Sequence, residues 1–475
     1  MMRLRFLVPM LGFSSLLVVA CSGDDPSDTD GEGGGAGEAS TPVGGGAGEA
    51  STPVGGGGGG GGEGAGCTIE STGTLVIEVS GLPEDVDPEV IIEGPDELLV
   101  SEANDSLERV TSGAYTVTAS RVFDADPIVR TVFDATVTMP DFTLCDGASH
   151  TIKVTYKAIP SSNKLWMPTG LDEEGAGFAS ELLAESGTTE ASVSIDGGIG
   201  KSIAFDRDGN LWTLGPTLDF PPVMRFAASQ LGASGAREPD VSFNVPEVEC
   251  LPAMRSLALD AEGNLWLSVC GDLVVRIPAS ELTGVDGEKE ADVLIAGLTE
   301  NDGLAFDRAG NLWVAGGPSI ARYDAARLGD ITADPADLLL TVSDDIAGLK
   351  ASNLTFDKAG NLWGTDFGAN HVFQIAGDDL EGTGEQDVVA NVSIEIGVTA
   401  LLSQPAFDEG NGLWLGLNAG FIGRFSPEQL GSSTASGASR SPELIIETSS
   451  VDALLPVAFF PAPTGLPLYH SIPVE

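Results

Sequence analysis

The chain has few basic residues for its length, and this shortage narrows its range of partners. Of its 475 residues, 22 are Lys or Arg and 71 are Asp or Glu, which gives a net charge of −49 at neutral pH. Loss of Arg3 and Arg5 with an N-terminal signal would take the charge to −51. So strong a negative charge repels nucleic acid and anionic lipid headgroups. We therefore expect no nucleic-acid partner and no membrane docking driven by basic residues.

Histidine and cysteine are also scarce, and their spacing excludes several catalytic and metal-binding motifs. The three histidines, His150, His371 and His470, are isolated from one another, and the five cysteines form no Cys-x-x-Cys pair. The sequence therefore shows no zinc-binding spacing, no Ser-His-Asp grouping and no Gly-rich phosphate-binding loop. A binding or scaffold protein is favoured over an enzyme.

No apolar run is long enough for an ordinary transmembrane helix, which needs about 20 residues. The N-terminal run from Phe6 to Ala20 follows Arg3 and Arg5, which is typical of a secretion signal. It ends in Val18-Val-Ala-Cys21, which resembles the lipobox of bacterial lipoproteins. That resemblance implies cleavage before Cys21, lipidation of Cys21 and, since Ser22 is not Asp, sorting to the outer membrane. Membrane contact is then expected through the N-terminal lipid only.

Residues 21–66 are rich in Gly, Ala, Glu, Ser and Thr, and they contain an 11-residue duplication, Gly33–Val43 and Gly44–Val54. Such a composition cannot bury a hydrophobic core. The sequence therefore predicts a disordered, Gly-rich tether whose r.m.s. reach is about 35–40 Å by the scaling for flexible linkers.

What the chain does contain is a repeat marked by tryptophan. Every Trp follows a Leu, successive Trp residues lie 46 to 54 residues apart, and Leu468-Tyr469 is a degenerate further copy. A repeat of about 40–50 residues built on short β runs is typical of a β-propeller. The six tryptophans are Trp166, Trp212, Trp266, Trp313, Trp363 and Trp414.

The best preserved copies read Leu-Ala-Phe-Asp-x-x-Gly-Asn-Leu-Trp, as in Leu304 to Trp313. Two apolar runs around a short turn predict a β-hairpin, and the Gly predicts a left-handed residue that Asn411 replaces in one copy. The Asp that opens each turn can accept bonds from backbone N–H groups, so we interpret it as a turn cap rather than a calcium ligand. Two further apolar runs complete four strands per repeat, which is one propeller blade.

The ends of the repeat predict the number of blades. The copy at Asn163–Trp166 has no strand before its Leu-Trp, whereas Val457–Phe460 supplies such a strand with no further strands after it. The C-terminal strand can therefore complete the first blade, which gives six blades. Seven is the alternative, if Leu468-Tyr469 belongs to a separate partial blade. The predicted fold is all-β, with a signal at 1–20, the tether at 21–66, a β-sandwich at 67–158 and the propeller at 159–475.

The β-sandwich is predicted from strong alternation of apolar and polar residues over about seven short runs, punctuated by Gly and Pro. Gly81-Leu-Pro and Ser112-Gly-Ala-Tyr-Thr-Val resemble PEGA-type or Ig-like modules of bacterial surface proteins, and this implies a spacer or adhesive role. Apart from Cys21, four cysteines remain, an even number that suits an exported protein with disulfides. We favour two pairs among the three connectivities, Cys67–Cys145 and Cys250–Cys270.

The repeated phrase resembles NHL-repeat, gluconolactonase (regucalcin)-like and streptogramin lyase-like propellers over roughly residues 159–475. For the lactonases, the resemblance implies a divalent cation such as calcium, with Asp302 of Asn-Asp-Gly and Asn353 as weak ligand candidates. Asn353 is one position out of register, however, and the family's N-terminal Glu ligand has no counterpart. For the lyases, it implies histidines in the channel, whereas His371 is expected in an outer loop and His470 lies near the terminus.

Ligands of propellers bind at the mouth of the central channel, where the innermost strands begin. The residues two positions before each innermost run are Lys201, Arg255, Asp302, Ser352 and Ser403. We expect them to form a polar ring that binds a small molecule or a protein, although solvent alone also makes such a mouth polar. The sequence thus predicts an exported, lipid-anchored, monomeric binding or scaffold protein. The alternative is a metal-dependent, lactonase-like hydrolase or a lyase at the same mouth.

Overall fold

A computed structural model describes most of the chain after the tether. The described ranges are 72–95, 99–101, 105–169, 174–200, 202–215, 222–246, 254–269, 272–296, 301–329, 335–343, 349–366, 368–397, 404–417, 420–435, 437–449 and 456–473. The chain divides into two units, Met1–Gly64 and Ala65–Glu475. The predictions for the signal, the tether and four of the cysteines fall outside the described residues; these cysteines are Cys21, Cys67, Cys250 and Cys270.

The described part is all-β, which confirms the predicted fold class. Its helical elements are single turns, one between the third and fourth strand of each repeat, and none in the described ranges could span a membrane. They are the α-helix α1 (Pro427–Leu430) and the 3₁₀ turns Ser180–Leu182, Ala228–Gly232, Ala279–Glu281, Ala325–Arg327 and Gly377–Leu380.

The N-terminal module is a sandwich of two sheets with nine described strands, where the sequence predicted about seven. The strands are β1 (Thr72–Ser80), β2 (Val90–Glu93), β3 (Leu99–Ser101), β4 (Asp105–Thr111), β5 (Gly113–Ala119), β6 (Val122–Phe123), β7 (Val132–Val137), β8 (Asp141–Leu144) and β9 (Ser149–Ala158). One sheet has the order β4-β1-β9-β7-β6 and the other β3-β2-β5-β8. Two short strands, β3 and β6, lacked a clear alternating pattern, which explains the lower prediction. Cys145 follows β8, while its predicted partner Cys67 lies outside the described residues, so this disulfide stays a prediction.

The remaining strands form six sheets, which we number as blades 1–6 in the order of their Leu-Trp strands. From the innermost strand outward, blade 1 contains β37 (Ala458–Phe460), β10 (Lys164–Pro168), β11 (Glu174–Ala179) and β13 (Val193–Asp196). Blade 2 contains β14 (Ile203–Phe205), β15 (Leu211–Leu214), β16 (Val223–Phe226) and β18 (Val241–Asn244). Blade 3 contains β19 (Met254–Leu259), β20 (Leu265–Val269), β21 (Leu273–Ile277) and β23 (Val293–Ala296).

The other three blades repeat this order. Blade 4 contains β24 (Asn301–Phe306), β25 (Leu312–Gly316), β26 (Ser319–Tyr323) and β27 (Leu338–Ser343). Blade 5 contains β28 (Asn353–Phe356), β29 (Leu362–Asp366), β30 (His371–Ile375) and β32 (Val392–Glu395), and blade 6 contains β33 (Ala406–Phe407), β34 (Leu413–Leu417), β35 (Phe421–Phe425) and β36 (Leu444–Glu447). Four outer strands gain a parallel partner from the following repeat; these partners are β12 (Gly187–Thr188), β17 (Gly235–Ala236), β22 (Gly287–Glu288) and β31 (Gly384–Val389).

Two pairings close the ring. The C-terminal strand β37 pairs antiparallel with β10, as the composite blade predicted, and β12 of blade 1 pairs parallel with β36 of blade 6. Leu468 and Tyr469, which suggested a partial seventh blade, lie in turns after β37 and not in a strand. Within the described ranges the Leu-Trp repeats therefore account for six sheets.

The Asp of each hairpin turn is a cap, as interpreted from the sequence. In blade 4, Asp307 Oδ1 accepts the N–H groups of Ala309 and Asn311 at 2.9 and 3.0 Å. Its Oδ2 accepts Asn311 Nδ2 at 2.8 Å and Trp313 Nε1 at 2.9 Å. The same four bonds recur at Asp206, Asp260 and Asp357. The left-handed residue is also present, with φ of 78–85° at four glycines and 62° at Asn411.

The tryptophans join neighbouring blades. All six are at most 2% exposed. Five of them stack edgewise or tilted on a Phe of the next blade, with ring centroids 5.9–6.3 Å apart, as Trp313 does on Phe356. Each Trp is therefore anchored by its own turn and packed against the next blade, which fixes both the hairpin and the angle between blades.

The sandwich fills a gap that the composite blade leaves. The innermost strand of blade 1, β37, comes from the C-terminal part of the chain, whereas its Leu-Trp strand, β10, comes from the start of the propeller. Blade 1 therefore has no hairpin turn between these two strands. Residues 121–131 of the sandwich lie there instead, since Arg121 Nη1 donates to the carbonyl of Arg207 in blade 2 at 2.5 Å. On the other side of the gap, the N–H of Glu409 in blade 6 donates to the carbonyl of Ile128 at 3.0 Å. Val129 is buried in a cluster with Trp414, so this contact has an apolar core.

Candidate functional site

The six innermost strands surround a narrow, apolar channel. Each strand contributes one small residue to its lining, namely Ala204, Ala258, Ala305, Thr355, Ala406 and Ala458. The cavity inside it has a volume of about 60 Å³. At roughly 10–15 Å³ for each water position, this is room for a few water molecules and not for a drug-sized ligand. A ligand of that size must bind at an end of the channel.

At the end of the channel where the hairpin turns lie, the C-terminal residues 461–473 form a floor. Leu468, Tyr469 and His470 line the channel from below. The floor is held by the turns, because Arg207 Nε donates to the carbonyl of Tyr469 at 3.3 Å and Arg308 Nη2 to that of Gly465 at 2.7 Å. This role was not predicted from the sequence, although the apolar, proline-rich segment after the last strand was a signal for a packed tail.

The floor contains a buried histidine. Burial lowers the pKa of His470 to about 4, against the opposing effect of hydrogen bonds to the backbone of Phe459 and Phe205. The ring packs on Phe205 and Phe460, with centroids 5.9 and 6.3 Å away. His470 is therefore neutral at physiological pH and belongs to the packing of the floor.

At the opposite end of the channel, which we call the rim, two of the predicted site residues meet. Arg255 Nη1 is ion-paired with Asp302 Oδ1, across the boundary between blades 3 and 4. The side chain of Arg255 is 53% exposed and that of Asp302 27%. Asp302 lies within β24 rather than before it, and both residues sit at irregularities of the strand register. Such bulges turn side chains out of the regular sheet alternation and are frequent next to functional sites.

The backbone beneath the rim is fixed by buried hydroxyl groups. Ser268 Oγ donates to the carbonyl of Asp302 at 2.9 Å. Ser202 Oγ and Ser256 Oγ accept N–H groups of the next blade, from Leu257 at 3.1 Å and from Leu304 at 3.4 Å. These bonds hold neighbouring innermost strands in register, so the charged pair at the rim rests on a rigid base.

The other predicted rim residues divide into two groups. Ser352 and Asn353 lie at the start of blade 5, where Ser352 N–H donates to the carbonyl of Thr365 at 2.8 Å and Asn353 Nδ2 to Thr365 Oγ1 at 3.4 Å. Lys201 and Ser403 fall outside the described residues. The structure thus brings Arg255 and Asp302 together and leaves the complete predicted ring a prediction.

Two of the three histidines lie away from the channel to which the lyase resemblance points, whereas His470 lines it from the floor. His371, expected in an outer loop, is the first residue of β30 and only 4% exposed, and its Nδ1 lies 2.8 Å from the carbonyl of Ala369. The interpretation as a loop was wrong, because β30 begins at His371, directly after the turn residues 368–370. His150 lies in β9 of the sandwich, next to Phe142.

A calcium site of the lactonase type fits the described residues poorly. Gly303 brings blades 4 and 5 close, since a Cβ there would lie 2.6 Å from the Cα of Asn353, so the backbone next to Asp302 approaches Asn353. However, Arg255 already neutralises Asp302, and calcium requires six to eight oxygen ligands. Nowhere in the described ranges do three or more His, Cys, Asp or Glu side chains converge as a metal site would need. We derive no reaction step through a metal.

Comparison with solved structures finds propeller proteins. Virginiamycin B lyase from Staphylococcus aureus is 12% identical, covers 49% of this chain and 68% of its own, and has a TM-score of 0.33. A streptogramin B lyase is 14% identical over 69% of this chain and 94% of its own (TM-score 0.34), and a gluconolactonase-like protein 14% identical over 54% and 82% (TM-score 0.34). No protein-family model and no curated protein matches the chain. At these identities and TM-scores no residue role is transferred to this chain.

Proposed function

We propose that this protein is an exported, lipid-anchored binding protein that holds its ligand at the rim of the propeller channel. The observation that carries the proposal is the contrast between the two ends of the channel. The floor and the sandwich cover the turn end, whereas the rim presents an ion pair, Arg255–Asp302, with more than half of the Arg255 side chain exposed. The guanidinium can donate hydrogen bonds to acceptor groups of a ligand, and the carboxylate beside it can accept hydrogen bonds from donor groups of the same ligand.

The rim is suited to binding because its backbone is fixed before a ligand arrives. Buried serines fix its backbone, and the channel below is apolar. A ligand that places polar groups on Arg255 and Asp302 would cover the narrow channel without entering it. Fixed donors and acceptors lower the entropic cost of binding, which favours recognition by a preformed site.

The rim is tested by a panel of defined probes, namely oligosaccharides, short peptides and lactones, scored by the rise in melting temperature each produces. We expect at least one class to stabilise the wild type and to lose its effect in the double variant Arg255→Ala/Asp302→Ala. The control variant is Arg308→Ala, at the opposite end of the channel, which should keep the effect. Stabilisation that survives in the rim variant would refute a site at the rim.

The anchor is tested at Cys21. We expect Cys21→Ser to prevent lipidation and to release the protein from the membrane fraction in soluble form. Mass spectrometry of the wild-type N-terminal peptide should show a diacylglyceryl group on this cysteine. An unmodified Cys21 in membrane-bound protein would contradict the proposed anchor, and fractionation of inner and outer membranes tests the proposed outer-membrane location.

The alternative function is a metal-dependent hydrolase or a lyase at the same rim. The close approach of Gly303, which follows Asp302, to Asn353 on the neighbouring blade is the observation that favours it. If it holds, calcium should bind stoichiometrically by calorimetry, Asp302→Asn should abolish that binding, and a lactone should be turned over with product formation. Binding of a lactone without turnover would support the binding protein instead.

A further inference from the structure

A second cavity lies at the turn end of the propeller, remote from the rim. It has a volume of about 500 Å³, which is within the range of sites for small organic molecules. Three separate parts of the chain line it: the sandwich with Phe123, the hairpin turn of blade 2 with Arg207, and the C-terminal segment with Pro461, Leu468 and Ile472. Small-molecule sites occur preferentially where such modules meet.

The cavity contains one cation whose charge is not neutralised by an ion pair. Arg121 also lines it, but Arg121 Nε is ion-paired with Asp134 Oδ1 at 2.6 Å. Arg207 has no ion-pair partner in the described ranges, and it donates hydrogen bonds to the backbone carbonyls of Tyr469 and Ala261, both at 3.3 Å. A guanidinium has five N–H donors, so donors of Arg207 remain for a ligand.

The acidic residues beside Arg207 are committed elsewhere. Asp206 uses both carboxylate oxygens in its own turn, where they accept four hydrogen bonds. Asp208 lies 3.8 Å from Arg121 Nη2 and is 80% exposed. Neither neighbouring carboxylate therefore neutralises Arg207, whose side chain lines a mainly apolar cavity.

The guanidinium of Arg207 is also held in place. It lies over the ring of Tyr469, with its central carbon 4.6 Å from the ring centroid. Together with the two carbonyl bonds, this contact fixes its orientation before any ligand binds. The apolar side of the cavity includes Leu468, which is 38% exposed although it is a large hydrophobic residue.

We propose that this cavity is a second binding site, for a small amphiphile with one acidic head group and an apolar body, such as an aromatic or short aliphatic carboxylate. The acidic head pairs with Arg207, and the body covers Phe123, Leu468 and Ile472. A carboxylate matches the planar donor fork of arginine. The site goes beyond the proposed function at the rim and does not depend on it.

Arg308 of blade 4 provides a matched control, because it makes the same kinds of hydrogen bond as Arg207. It donates to the carbonyl of the next turn, Lys358, and to the floor carbonyl of Gly465, both at 2.7 Å. It does not line the cavity. Replacement of either arginine by Gln therefore removes comparable floor contacts, while Arg207→Gln alone removes the cation of the cavity.

The experiment titrates the purified protein with the anionic fluorophore 1-anilinonaphthalene-8-sulfonate and then displaces it with 4-phenylbutyrate. We expect saturable binding that Arg207→Gln weakens at least 10-fold and Arg308→Gln less than 2-fold, with melting temperatures recorded for both variants. Leu468→Glu should also weaken binding, since it places a negative charge in the cavity. Absence of saturable binding, equal losses in the two arginine variants, or failure of 4-phenylbutyrate to compete would overturn the proposal.

Discussion

Replacement of Trp313 tests whether the tryptophans are the joints of the propeller. Trp313 is 1% exposed, stacks edgewise on Phe356 of the next blade at 6.0 Å, and donates to Asp307 Oδ2 at 2.9 Å. Truncation of a buried Trp to Ala costs about 3–5 kcal/mol, and the lost bond to a charged acceptor adds about 1.5 kcal/mol. We therefore expect Trp313→Ala to lose about 5 kcal/mol of unfolding free energy.

The expected shift in melting temperature follows from the size of the folding unit. The unit Ala65–Glu475 has 411 residues. With an unfolding entropy of about 2.1 cal/mol/K per residue, each 1 kcal/mol corresponds to about 1.2 °C. Trp313→Ala should thus lower the melting temperature by about 6 °C. Trp313→Phe keeps an aromatic ring against Phe356 but removes the N–H donor, so it should lower it by about 2 °C.

Differential scanning calorimetry of the two variants and the wild type measures both shifts. If the tryptophans formed a ligand-stacking surface instead, Trp313→Ala would melt within about 1 °C of the wild type. If Trp313→Phe were as damaging as Trp313→Ala, the bond to Asp307 and not the packing would dominate, and the reasoning on packing would be refuted. Both carboxylate oxygens of Asp307 accept hydrogen bonds from the turn and from Trp313, so we expect no calcium at this residue. Addition of EDTA should therefore leave the melting temperatures of all three proteins unchanged.

Three further predictions concern covalent links, protonation and the joint between the modules. Non-reducing peptide mapping should give two bridges, Cys67–Cys145 and Cys250–Cys270; free thiols or a crossed pairing would contradict the assigned strands. Burial lowers the pKa of His470 from 6.5 to about 4, so the unfolded chain binds a proton at this residue more readily than the folded protein does. The free energy of unfolding should therefore fall by about 3 kcal/mol as the pH is lowered from about 6.5 to about 4. His470→Gln should remove this part of the pH dependence of unfolding, and an unchanged acid slope would contradict the assignment. Glu409 is 8% exposed and contacts both Arg130 and Lys358, at 3.4 and 3.1 Å. Glu409→Gln should therefore lower the free energy of unfolding by about 2 kcal/mol, a value that allows for the partial exposure of the two cations. The control Glu443→Gln, at a half-exposed pair, should change the unfolding free energy by less than about 0.5 kcal/mol.

The blade was predictable from the sequence because its chemistry is local. The Asp cap, the left-handed Gly or Asn and the Leu-Trp pair lie within ten residues of one another, so turn chemistry and strand alternation identify them without knowledge of the rest of the chain. The composite first blade was also predictable, since Asn163–Trp166 lacks a strand that Val457–Phe460 supplies. The two short sandwich strands and the start of β30 at His371 were missed because such short elements carry no periodic signal.

The candidate site was predictable only as a set of equivalent positions. Register within the repeat placed Arg255 and Asp302 at the rim, but it did not show that they pair with each other or that both lie at bulges. That outcome depends on the angle between two blades, which packing of large buried rings sets. A charged residue follows the turn Asp in four of the five copies. These residues, Arg207 and Arg308 among them, were a readable signal for contacts at the turn end.

By itself, then, the sequence determined the repeating hairpin, its buried Trp and the order of strands in a blade, because these depend on interactions between near neighbours. The tertiary structure alone decided that residues 461–473 form a floor, that the sandwich occupies the missing turn of blade 1, and that a cavity opens beside Arg207. These features join residues up to about 350 positions apart, as Arg121 and the C-terminal segment are. Unlike the closing pair of strands β10 and β37, which the repeat itself predicts, these contacts follow from packing between separate parts of the fold, which no local pattern of residues encodes.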